Sequence, residues 1–167
     1  MIVLGVDPGL TSVGYGILES KDRNVLIRGY GAFSVPSRQP LSSRLKVIHN
    51  SIRDIIREHQ PDALACETVF YSKNARSTIM LGHARGAVLL AAEECGVDVA
   101  EYSPREIKSA VTGRGNSSKG QVRYMIKAQL EIDNLPESTD VSDALAVALC
   151  CIHRQAGSFG KRGVRIC

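Results

Sequence analysis

No stretch of this 167-residue chain reaches the roughly 20 consecutive apolar residues that a bilayer-spanning helix needs. The N-terminus reads as a strand without a charged leader, so no signal peptide is visible and the expected location is the cytoplasm. Cysteine is sparse. The five present, Cys66, Cys95, Cys150, Cys151 and Cys167, show no Cys-x-x-Cys spacing, which argues against zinc and fits small core residues. The histidines His49, His59, His83 and His153 are scattered, and none adjoins a nucleophile, so neither a Ser-His-Asp nor a Cys-His arrangement is available. There is no internal repeat and no low-complexity linker. With a hydrophobic share of 44%, the chain is of the globular class and suits one domain.

What is present is an excess of positive charge in one place. Between Ser103 and Lys127 lie Arg105, Lys108, Arg114, Lys119, Arg123 and Lys127 against Glu106 alone, more net charge than the +4 of the whole chain. Lys161, Arg162 and Arg165 form a second group. Clustering of this kind reads as a footprint for a phosphate backbone. The competing reading is a solvated helix face.

Hydrophobic patterning predicts strands over 2–7, 12–20 and 24–34, joined by short turns into an antiparallel meander. A helix follows over 40–59, with Leu41, Leu45, Ile48, Ile52, Ile55 and Ile56 at helical spacing and Pro61 as its stop. Short strands are expected over 62–67 and 97–102, and helices over 75–95, 104–111, 119–131 and 140–155. Gly14, Gly16, Gly29 and Gly31 fall inside strands, where glycine marks the close approach of another backbone. Three meander strands followed by alternating strands and helices make an α/β sheet covered on both faces.

Asp7-Pro8-Gly9 places a carboxylate where an apolar strand stops and the chain turns. Glu67 ends the run Ala63-Leu64-Ala65-Cys66. Asp140 and Asp143 lie three apart at the head of a helix and share one face, which Ala144, Val147 and Cys151 continue. Each acid has an ordinary alternative: a turn aspartate, a solvated strand end, or first-turn acids favoured by the helix dipole. Together they make a different case. Four converging carboxylates repel one another unless a cation lies between them. Hard cations such as Mg²⁺ prefer carboxylate oxygens, and two such ions can clamp the attacking and leaving oxygens of a phosphodiester. Between Glu67 and the helix over 75–95, Phe70 and Tyr71 stand beside Lys73, Asn74 and Arg76, a mixture suited to base stacking and phosphate contact. Lys108, Lys119 and Arg123 are the corresponding candidates in the basic segment.

These stretches resemble the RuvC family of Holliday junction endonucleases. The matching residues are Gly5-Val6-Asp7-Pro8-Gly9, Gly14-Tyr15-Gly16, Ser43-Arg44-Leu45, Glu67-Thr68-Val69-Phe70, Lys73-Asn74-Ala75, Leu81-Gly82, Ala84-Arg85-Gly86, Lys119-Gly120-Gln121-Val122 and Asp140-Val141-Ser142-Asp143-Ala144-Leu145-Ala146. The resemblance implies a ribonuclease H-like mixed five-stranded sheet over residues 1–155. The basic tail, 156–167, shows no motif and is expected to be disordered. It also implies a homodimer that nicks opposed strands of four-way DNA junctions symmetrically with Mg²⁺ or Mn²⁺, leaving 5′-phosphate and 3′-hydroxyl ends, and that works with the RuvA–RuvB branch-migration complex. Asp7, Glu67, Asp140 and Asp143 match the catalytic, metal-binding acids. Phe70 matches the stacking aromatic near the crossover, and Lys108 and Lys119 match DNA-contacting lysines.

Three other readings share parts of this pattern: a ribonuclease H-like nuclease acting on a ribosomal RNA precursor, an actin-like ATP-binding protein, and a non-catalytic junction-binding module. A final expectation concerns the helix over 75–95. Its Gly82, Gly86, Ala87 and Ala91 recur at near-helical spacing and are read as a stripe through which two copies pack.

Overall fold

The computed structural model describes residues 1–22, 24–68, 74–136 and 138–156. Strands β1 (Ile2–Asp7), β2 (Ser12–Lys21) and β3 (Asn24–Ser34) form the expected antiparallel meander. Helix α1 (Leu41–His59) leads to β4 (Ala63–Glu67), α2 (Ala75–Glu94) to β5 (Asp98–Tyr102), and α3 (Pro104–Thr112), α4 (Lys119–Leu130) and α5 (Thr139–Ala156) complete the order. The five strands lie in the order β3-β2-β1-β4-β5, with β4 and β5 parallel to their neighbours. This is the α/β sheet that the patterning predicts, in the mixed five-stranded form that the resemblance implies.

Element ends follow local chemistry. Pro40 is extended (φ −53°, ψ 150°) and stands just before α1, not inside it. Gln60 ends that helix in the left-handed region, its N–H returning to the Ile56 carbonyl. Ser103 and Ser118 each head a helix with a reciprocal capping box, to Glu106 and Gln121, which satisfies amides that would otherwise lack partners.

Two apolar layers flank the sheet. On one face Leu4, Val6, Ile17, Leu64 and Cys66 pack against Ile48, Ile52 and Ile56 of α1 and Ala84, Val88, Ala91 and Ala92 of α2. On the other, Val3, Leu18 and Ala65 meet α5, which is buried from Ala144 to Ile152 because α3 and α4 cover its far side. Among the described residues no helix is long and apolar enough to cross a membrane.

Strand glycines let α5 lie directly on the sheet. Gly5 and Gly16 are register partners. A Cβ on Gly5 would stand 2.2 Å from the Ala144 carbonyl oxygen, and one on Gly16 would stand 2.6 Å from Leu145 Cδ2. The other two strand glycines behave differently. At Gly31 the neighbour is the Tyr15 ring, and at Gly29 a Cβ would meet only ordinary contacts.

Candidate active site

Strand alternation decides where the first two acids point. Val3 and Gly5 face α5, so Asp7, two residues on, faces the same way. Ala65 also faces α5, and so does Glu67. The parallel register pairs Val6 with Cys66, which sets Asp7 beside Glu67 at the carboxyl ends of neighbouring strands. Open α/β sheets build their sites at these ends.

The turn after Asp7 is tight and anchored. A Cβ on Gly9 would stand 2.2 Å from the Ser12 carbonyl oxygen. The Arg44 guanidinium of α1 donates to the Leu10 carbonyl, and Val35 N donates to the Thr11 carbonyl at 2.9 Å. Opposite Asp7 on β2 is Gly14, where the head of α5 rests. That contact brings Asp140 and Asp143 over the ends of β1 and β4. Asp143 Oδ2 accepts a hydrogen bond from Lys119 Nζ at 2.8 Å. Asp7, Pro8, Glu67, Thr68, Leu81, Lys119 and Asp143 line one cavity of about 320 Å³.

The acids are electrically coupled. Burial is the largest cause that raises Asp7, to a pKa of about 7, and the charges of Asp143, Asp140 and Glu67 add to it while Lys119 opposes. Burial also raises Glu67, Asp143 adds to it, and Lys119 and Lys108 lower it. The hydrogen bond to Asp143 raises Lys119. The four acids thus form one field, and among the described residues Lys119 acts on both Asp7 and Glu67 and Lys108 on Glu67. Among the described residues no three His, Cys, Asp or Glu side chains are already gathered closely enough to enclose an ion. The donor set is nonetheless what a hard cation takes: carboxylate oxygens only, with the Asp7 and Glu67 carboxyls held above their ordinary pKa by burial and by the neighbouring acids.

The other expected contact residues divide. Lys108 and Lys119 act on the acids directly. Arg76 is exposed in the first turn of α2. Asn74 is the N-cap of α2, its Oδ1 accepting from Ser77 N at 3.1 Å, so its side-chain carbonyl is engaged by the helix. Arg123 is also employed within the chain. Its Nη2 donates to the carbonyls of Leu135 and Pro136 at 2.8 and 2.6 Å, which removes it from the free cations of the basic segment. Phe70 and Lys73 lie outside the described residues, as does the tail beyond Ala156. Thr68 and Leu81 line the cavity without having been assigned a role from sequence.

Comparison with known proteins agrees with this geometry. The family model described as "Crossover junction endodeoxyribonuclease RuvC" matches residues 3–151. A crossover junction endodeoxyribonuclease RuvC from Desulforamulus reducens is 42% identical over 163 residues, 97% of this chain and 99% of that protein. One from Koribacter versatilis is 45% identical over 157 residues, covering 93% and 95%. Among solved structures, Thermus thermophilus RuvC in complex with a Holliday junction substrate superposes with a TM-score of 0.89 at 30% identity, covering 95% of this chain and 96% of that one.

Proposed function

The chain belongs to the RuvC family and is a Holliday junction-resolving endonuclease; we propose that it cuts with Mg²⁺ or Mn²⁺ held by Asp7, Glu67, Asp140 and Asp143. The observation that carries this reading is the register that sets Asp7 beside Glu67, under an α5 whose Asp140 and Asp143 act on the same point. When bound, such an ion polarises the scissile phosphate and eases ionisation of the attacking water. Asp7, with its pKa of about 7, can release its proton near neutral pH and present both oxygens. Lys108 and Lys119 hold the phosphate backbone against the acids and offset its charge. Water attacks phosphorus and the 3′ oxygen leaves, so each nick carries a 5′-phosphate and a 3′-hydroxyl. The protein is read as cytoplasmic, and as a partner of the RuvA–RuvB branch-migration complex.

Paired nicks in opposed strands need two such sites, which a two-fold dimer supplies. Its support is on α2. Gly82 and Gly86 face outward, and a Cβ on either would meet nothing within 4 Å. Glycine costs a helix about 1 kcal/mol relative to alanine, and the described part of this chain offers no packing reason for either one. Exposed Ile79 and Leu90 continue the stripe, beside a groove of about 480 Å³ that Leu45 and His49 of α1 help to line. Ala91 does not belong to it, since it is fully buried against the sheet.

The test is incubation with a synthetic four-way junction in Mg²⁺, in Mn²⁺ and in EDTA, with a linear duplex and an RNA hairpin as controls. Symmetric nicking of the junction alone, abolished by EDTA, is expected. Asp7→Asn, Glu67→Gln, Asp140→Asn and Asp143→Asn should each lose cleavage while keeping junction binding, because the phosphate contacts come from the basic segment. Near-parental cutting by any two of them would defeat the metal-site reading.

A further inference from the structure

The loop from Thr112 to Ser117 is built more firmly than a connection between two helices requires. Gly113 takes the left-handed region (φ 77°) and closes α3. The backbone of Arg114 is fixed at both ends: its N–H donates to Thr112 Oγ1 at 3.2 Å, and its carbonyl accepts from Ser117 Oγ at 3.0 Å. Ser117 is itself buried. Arg105 lies across Gly115, where a Cβ would stand 2.6 Å from its Cγ. The loop thus holds its one charged side chain, Arg114, exposed and in a defined place. No hydrogen bond or ion pair engages the Arg114 guanidinium among the described residues.

Facing that loop on α4 is Tyr124, 71% exposed. It has the highest exposure of the large hydrophobic side chains in the described residues. Between the two runs a groove of about 640 Å³, and none of the residues lining it is acidic. The groove adjoins the catalytic cavity at the head of α4: Ser118 and Gly120 line the groove, while Lys119 between them lines the cavity and bonds Asp143. A strand whose scissile phosphate lies at the acids and that passes over Lys119 would meet a trough with an unpaired guanidinium on one wall and an aromatic ring on the other.

We infer that this groove is a second DNA subsite, in which Arg114 pairs with a backbone phosphate of the junction arm flanking the cut and Tyr124 packs against the adjoining sugar. The inference rests on the junction-resolving function and extends it from the point of cleavage to the arm. The chemistry favours nucleic acid over a protein partner: the groove carries a guanidinium and no acid, and it lies beside a phosphate-cutting site.

Both residues are exposed, so their substitution leaves the fold in place. Binding of a four-way junction in EDTA, followed by fluorescence anisotropy over a salt series, tests the subsite. Arg114→Ala should weaken binding roughly three- to tenfold and reduce the salt slope by about one, the loss of one phosphate contact. Arg114→Lys should restore the slope. Tyr124→Ala should weaken binding with the slope unchanged, and Tyr124→Phe should recover it. On junctions with arms too short to reach the groove, parent and variants should coincide. Isotherms of Arg114→Ala and Tyr124→Ala that overlay the parent's at every salt concentration would overturn the subsite while leaving junction resolution intact. So would a defect seen only when the branch-migration complex is added, since that marks a protein-docking face. A parent chain that binds no four-way DNA would remove the junction-resolving reading, and the subsite with it.

Discussion

Gly14 and Asp140 touch backbone to backbone: a Cβ on Gly14 would stand 2.1 Å from the Asp140 carbonyl oxygen. Gly14 is the register partner of Asp7, so one contact governs how far the α5 acids stand from the β1 acid. Gly14→Ala forces the head of α5 outward. Overpacking of this sort costs roughly 1–3 kcal/mol, read as a fall in melting temperature. Cleavage of a four-way junction should fall far more than the stability loss explains, with junction binding retained. Parental cleavage in a folded Gly14→Ala variant would show that the spacing of the acids tolerates that shift.

Asp7 makes cleavage and stability depend on pH in opposite ways. Its folded pKa of about 7 lies above the ordinary 3.8, so the folded chain binds a proton that the unfolded chain releases. This group's contribution is therefore greatest at low pH and is lost as pH rises through 7. Without divalent ions, Asp7→Asn should be more stable than the parent at about pH 8, by an amount on the order of 2–4 kcal/mol, and the gap should narrow as pH falls through 7 and close only as pH approaches the ordinary 3.8. For metal the sign reverses, because only the ionised carboxylate ligates. The Mg²⁺ concentration for half-maximal cleavage should fall as pH rises from about 6 to about 8. A requirement independent of pH would separate Asp7 from ion binding.

Lys108 and Lys119 should differ from a solvated face in two measurements. Each alanine variant should reduce the salt slope of junction binding by about one. Lys119→Ala also removes a cation that lowers Asp7 and Glu67, so its cleavage profile should shift to higher pH, read from the pH–rate curve. Unchanged slopes and an unchanged profile would mean that neither lysine serves the site. Phe70→Ala, at the expected crossover aromatic, should lose cutting more than binding.

A homodimer through α2 should sediment at twice the chain mass at micromolar concentration. Gly86→Glu, placed on the open stripe, should give monomers and cut only single strands, with melting little changed. Monomers that still make paired, symmetric nicks would rule the dimer out.

Asp7 and Glu67 were legible in sequence because a strand alternates strictly, and an acid that ends an apolar run has one available direction. The α5 pair was legible because three-residue spacing holds one face. Side chains on other helices were less so. Ala91 follows Gly82 by nine residues, which at roughly 100° per residue turns it to the opposite side of α2. Smallness recurred there without sharing a face. Arg123 stands four residues after Lys119 and reads as its neighbour on a basic stripe, yet the carbonyls of Leu135 and Pro136 capture it, a contact that only tertiary packing creates. Asn74 carries the same lesson at a boundary, since one amide suits a helix cap and a nucleotide equally well.

Because α5 rests on β1 and β2 with no side chain interposed at Gly5 and Gly14, the spacing of the main chains that carry the acids is set by the radii of main-chain atoms. Repacking the apolar length of α5, from Val147 to Ile152, can therefore absorb methyl groups gained or lost without reaching the carboxylates. Tolerance to change should be sharply divided along this one interface: broad where side chains meet, and nearly absent where backbone meets backbone.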